Sequence, residues 1–133
     1  MTGTESQDEI RKVLDEMLGA MNSGDAPRLR AMLSERPGNV HIGTDAQEWW
    51  SGARLVDDVA DAGSGGDIRA VADDVDVHVQ GDIAWVEGRG RFTRADGAER
   101  PVRMTGVFAR EGGQWKLVQS HASIAVPNAD IFG

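Results

Sequence analysis

The chain has 133 residues, 40% hydrophobic and 27% charged, which fits one globular domain whose core needs no metal or disulfide staple. It has no cysteine, so thiolate chemistry is excluded, and its 22 acidic against 14 basic residues (formal charge -8) make nucleic acid and anionic membrane poor partners. No apolar run approaches the roughly 18–20 residues of a membrane span, and Met1 to Gln7 lacks the charged-then-apolar build of a signal peptide, so a cytoplasmic protein is expected.

In chain order, Ile10, Val13, Leu14, Met17, Leu18 and Met21 recur at spacings of three and four, predicting an amphipathic helix. Ser6-Gln7-Asp8-Glu9 matches a capping box at its start, and Asn22-Ser23-Gly24 ends it. Asp25 is placed to cap a second, short helix with Pro27 in its first turn and Leu29, Met32 and Leu33 buried. Pro37-Gly38 breaks the pattern, and residues 39–44 read as a short extended piece. Asp45, with Glu48 three positions on, offers a cap for a third helix carrying Trp49, Ala53, Val56 and Ala60 on one face and Trp50 and Val59 beside them. Gly63 to Gly66 is too flexible to continue it.

From Ile68 the period changes to two, punctuated by Gly81-Asp82, Asp96-Gly97 and Gly112-Gly113. This predicts four antiparallel strands over 68–80, 83–94, 99–110 and 115–126, with Gly88 and Gly90 marking a bulge or a close approach by a helix. Residues 1–5 and 127–133 read as flexible tails.

Helix, helix, short strand, helix and a four-strand meander resembles the NTF2-like superfamily, an α+β cone in which three N-terminal helices pack on a curved antiparallel sheet. Within it, His41-Ile42-Gly43-Thr44-Asp45 leading into Glu48-Trp49-Trp50-Ser51-Gly52, together with Trp115 to Ser123, resembles the SnoaL-like branch. The resemblance implies a single domain with a cavity between sheet and helices, and a homodimer through the outer sheet face. Relatives include ketosteroid isomerase, polyketide cyclases, epoxide hydrolases, dehydratases and association modules, so the fold alone does not choose among them. Trp115, Leu117, Gln119 and His121 alternate with Val118, Ser120, Ala122 and Ile124, so neither face of the last strand is plainly solvent-directed.

His121, near the end of that strand, is the first catalytic candidate, a neutral imidazole suited to general acid or base work near pH 7. A backbone-bonded or interface histidine suits the position as well. His41 is the second candidate; Asp45, four residues on, is better read as a helix cap. Asp74, Asp76 and His78 alternate along one strand face, but parallel side chains of one strand do not converge on an ion, so no metal site is expected and the row is read as a solvated face. Ser120 beside His121 is not a nucleophile with its base, because neighbouring strand residues point to opposite faces. No phosphate-binding glycine motif is present, and no cofactor is expected.

Trp50 and Trp85 are the leading ligand-binding candidates, followed by Trp49 and Arg103, the last suited either to an anionic group or to an ion pair with Glu87. Core packing is the better reading for Trp115. The chain has no tyrosine, which excludes a tyrosine-dependent ketosteroid isomerase, and it offers His121 where an Asp–Arg–Asp epoxide hydrolase would need a carboxylate. The reading that follows is a small-molecule binding protein or cofactor-independent isomerase, cyclase or lyase acting on an apolar or aromatic molecule. The alternative is a non-catalytic homodimerisation or ligand-sensing module.

Overall fold

In the computed structural model, which describes residues 3–63 and 67–133, the apolar stripe of the first helix becomes α1 (Gly3–Ser23), with Ile10, Met17 and Ala20 buried in the core. The helix begins before the capping box. Ser6 lies inside it and accepts from the Arg110 guanidinium at 3.4 Å, while Glu9 accepts from the Trp115 indole N–H at 3.2 Å. The pair that reads locally as a cap is used for contacts to distant strands, and residues 3–5, read as tail, are helical.

α2 (Ala26–Met32) has the predicted cap: the Arg28 N–H donates to Asp25 at 3.2 Å, and Ala26, Leu29 and Met32 are buried. The third helix starts later than predicted. Asp45 instead closes a turn by accepting from the Gln47 N–H at 2.9 Å, Trp49–Trp50 form β2 against β1 (Val40–Ile42), and α3 (Gly52–Ala62) is capped by Ser51. Pairing with β1 satisfies backbone groups that a helix at Trp49 would have taken from the strand. Gly63 ends α3 in the left-handed region at φ 60, and the remainder of the predicted linker, 64–66, lies outside the described residues.

The four long strands match their prediction closely: β3 (Ile68–Gln80), β4 (Ile83–Arg94), β5 (Glu99–Glu111) and β6 (Gln114–Ser123). The sheet order is β2-β1-β6-β5-β4-β3, antiparallel except where β1 runs parallel to β6. Three helices packed on this mixed sheet make the α+β cone. β3 is an edge strand, and α1 covers part of it: Asn22 donates to and accepts from the Ala70 backbone at 2.9 Å each, and Arg11 donates to the Val75 carbonyl at 2.7 Å. An edge closed this way is no longer a free template for pairing.

Two bulges shape the sheet. In β3 the register passes from Ala72 opposite Gly90 to Asp74 opposite Arg89, leaving Asp73 extra. A side chain at Gly90 would run into the Val71 carbonyl and the Met104 methyl, so this glycine serves the bulge, and the backbone that approaches it belongs to β3 and not to a helix. In β6 the register passes from Leu117 opposite Phe108 to Gln119 opposite Val107, leaving Val118 extra. An extra residue reverses the alternation beyond it. Trp115 and Leu117 face the core, but after Val118 it is Ser120 and Ala122 that continue this face, opposite Gly106 and Met104, while Gln119 and His121 turn outward.

Candidate functional site

A cavity of about 260 Å³ lies between α1 and the concave face of the sheet. Met17 and Met21 of α1, Phe92 and Met104 of the sheet and Trp50 of β2 give it a predominantly apolar wall. Methionines let such a wall adapt to ligand shape. Among the described residues no lysine or arginine lines it, and its polar side chains are few: His41, Thr44, Glu48, Thr105, Ser120 and His121.

The parallel pairing of β1 with β6 sets His41 beside Ser120, and the imidazole Nδ1 lies 2.8 Å from the Ser120 hydroxyl. His41 is only 4% exposed, and burial holds its pKa below the ordinary 6.5, so the ring is neutral near pH 7. Among the described residues its Nε2 has no hydrogen-bond partner. Strand geometry separates Ser120 from His121, as expected; the partner that geometry supplies instead is His41, across the sheet.

Glu48 approaches from the turn before β2. Its carboxylate accepts from the Asp45 N–H at 3.3 Å and packs on Gly43, where any side chain would collide with it. Burial, followed in importance by the opposing hydrogen bond and by the charges of Asp45 and Asp58, raises its pKa above the ordinary 4.5. Read from sequence as part of a helix cap, Glu48 is not among the predicted site residues. The Gly43-to-Glu48 spacing, short enough for one tight turn, is the local signal that points to it.

The other candidates are dispersed. His121 contributes to the cavity rim but is exposed, and its register partners Ile42 and Thr105 place its ring on the opposite face from Ser120. Trp50 shares the His41 face of β2 and reaches the cavity, with the Arg54 guanidinium 5.0 Å from its ring centroid. Trp49, opposite Ile42, points outward and is 72% exposed. Trp85 stacks on His78 on the outer sheet face at 5.4 Å between centroids, and His78 bonds Glu87 at 2.8 Å. Glu87 is therefore engaged by His78, while Arg103 donates to Ser123 at 3.2 Å on that same outer face. Among the described residues no histidine and carboxylate cluster is arranged to hold a metal, and Val75, Val77 and Val79 face the core behind the Asp74, Asp76 and His78 row. Among them too, no helix is long and apolar enough to cross a membrane.

Solved structures share this architecture. A Pseudomonas putida NTF2-like protein of unknown function superposes with a TM-score of 0.78 at 21% identity, over 92% of this chain and 89% of that one. An NTF2-like protein of Streptomyces avermitilis, provisionally named a dehydratase, gives 0.76 at 20% identity over 92% and 98%. The association domain of C. elegans CaMKII gives 0.75 at 18% identity over 91% and 97%. No curated protein matches the chain. At these identities the likeness carries the fold alone. The SnoaL-like domain family matches residues 10–127, nearly the whole chain, and the chain belongs to that family.

Proposed function

We propose that this protein binds a small, uncharged, largely apolar molecule in the cavity and moves a proton on it without a cofactor, in the manner of an isomerase, cyclase or lyase. The observation that carries this reading is the pairing of an apolar wall with two desolvated titratable groups, His41 and Glu48, whose pKa values move toward each other. Such shifts are typical of acid and base groups in working sites. The volume falls just under the roughly 300–1,000 Å³ of common ligand sites, favouring a one- or two-ring ligand over a larger one. With no lysine or arginine in the wall among the described residues and a chain charge of -8, an anionic ligand is disfavoured. Ser120, held by His41, is the group to meet a ligand oxygen, and the outward ring of His121 takes the lesser part.

A thermal-shift panel of neutral monocyclic aromatics, terpenoids and small ketones tests the reading. A ligand at about a hundred times its Kd should stabilise the native state by about 2.7 kcal/mol and raise Tm by several degrees. Ser120→Ala should weaken oxygen-bearing ligands and leave hydrocarbons unchanged. No shift with any probe would count against a binding cavity.

A second reading, a homodimerisation or sensing module, is favoured by the exposed Trp85 and Ile83 on the outer sheet face. The fold likeness to an association domain adds to it.

A further inference from the structure

The contact between His41 and Ser120 has a direction, and the surroundings of the imidazole fix it. Nδ1 lies 2.8 Å from Ser120 Oγ, so one of these two atoms supplies the proton between them. The ring is neutral because burial lowers its pKa, and it therefore carries a single N–H, on one nitrogen or the other. With the proton on Nε2, Nδ1 would accept from the serine. Nε2, however, is sealed from solvent and has no hydrogen-bond partner among the described residues. It faces the start of α3, 3.7 Å from where a Cβ on Gly52 would stand. A proton placed there would be an orphaned buried donor, which native structures show more rarely than an unpaired acceptor. The proton is held on Nδ1, and His41 donates to Ser120.

This direction decides what Ser120 shows to the cavity. Ser120 lines the same wall as Met17, Phe92 and Met104, and His41 is its one hydrogen-bond partner among the described residues. Its own hydroxyl proton is thus free for a ligand. The Glu48 carboxylate does not take it up: it stands where a Gly43 side chain would, two residues on from His41, which is about 6–7 Å at strand spacing. Thr105 and His121 are register partners of each other and share the face opposite to Ser120.

Resting on the cavity reading above, we infer that His41 sets Ser120 as a proton donor toward the cavity, so that the site selects a neutral ligand with a carbonyl or ether oxygen over the alcohol of the same skeleton. The reason is a count of protons. A carbonyl oxygen takes the serine proton and nothing is left over. A serine and an alcohol bring two protons to one hydrogen bond, and the second has no acceptor beside it. Were His41 to accept from Ser120 instead, the count would reverse: the alcohol would donate to the serine oxygen, and the carbonyl would find no donor. His41 acts here through Ser120, as a positioning residue that determines specificity.

Two measurements on the full chain test this. A long-range 1H–15N correlation spectrum above pH 7 distinguishes protonated from bare ring nitrogens, and it should show the His41 proton on Nδ1. Titration with ethylbenzene, acetophenone and 1-phenylethanol, which share one skeleton, should rank acetophenone above 1-phenylethanol by about tenfold, as expected for one unpaired buried proton. Ser120→Ala should bring the two to parity. His41→Asn, whose amide can turn either its oxygen or its N–H toward Ser120, should narrow the preference to about threefold or less. A proton found on Nε2, an alcohol bound as well as the ketone, or a preference that survives Ser120→Ala would each overturn the inference. Ethylbenzene reports on the cavity alone, so the two readings fail separately: binding of none of the three compounds counts against the cavity, while the nitrogen spectrum still decides the direction of the His41 to Ser120 bond.

Discussion

In the proposed site His41 is deeply buried, and its burial has a measurable consequence. Its pKa is depressed in the folded chain, so between the ordinary 6.5 and the lower folded value the unfolded chain binds more protons. Stability should be full above about 6.5 and fall as the pH drops through that window. Glu48 acts with the opposite sign: its raised pKa makes the folded chain bind more protons just above 4.5, so its contribution is lost as the pH rises. Plotting Tm against pH for the wild type and His41→Gln should show the slope below 6.5 flattened in the variant. Gly43 supports the other half of the pair. Gly43→Ala should push the Glu48 carboxylate out toward water, because the collision is with the end of a flexible side chain, and cost about 1 kcal/mol or less. Carboxyl resonances followed through a pH titration should then show Glu48 returning toward its ordinary range.

Among the elements, β6 and α1 matter most. The extra residue at Val118 is what brings Ser120 rather than His121 to the concave face, and with it the His41 contact. The contribution of α1 is edge protection as much as core. Asn22 fastens both the N–H and the carbonyl of Ala70, so Asn22→Ala removes two hydrogen bonds from the β3 edge. A loss of about 1–3 kcal/mol is expected. Hydrogen exchange at Ala70 should accelerate in this variant, with Val102 and Phe108 in the sheet interior keeping their relative protection.

For the whole molecule, the second reading proposed above sets a copy of the chain against the outer sheet face. The apolar surface at Trp85 and Ile83, rimmed by His78 and Glu87, suits a second copy of the chain. If it is the contact, Trp85→Lys should halve the mass measured by sedimentation while leaving the circular dichroism spectrum unchanged. An unchanged mass would place the interface elsewhere or leave the chain a monomer. Much of this architecture is legible locally: helical spacing in 10–21, the Asp25 cap, period-two alternation from Ile68 and glycine-marked turns specify element types from near neighbours alone. The strand ends at 68–80 and 83–94 follow from the same signals. What local pattern could not supply is the facing of side chains in the site. Trp49 and Trp50 sit beside each other in sequence yet one is in water and the other in the cavity, because pairing with β1 orients them. Ser120, and not His121, continues the core face of β6 because of a bulge that depends on how β6 meets β5. Element type is a property of residues a few positions apart, whereas facing is set by register between distant strands, and a single extra residue reverses it.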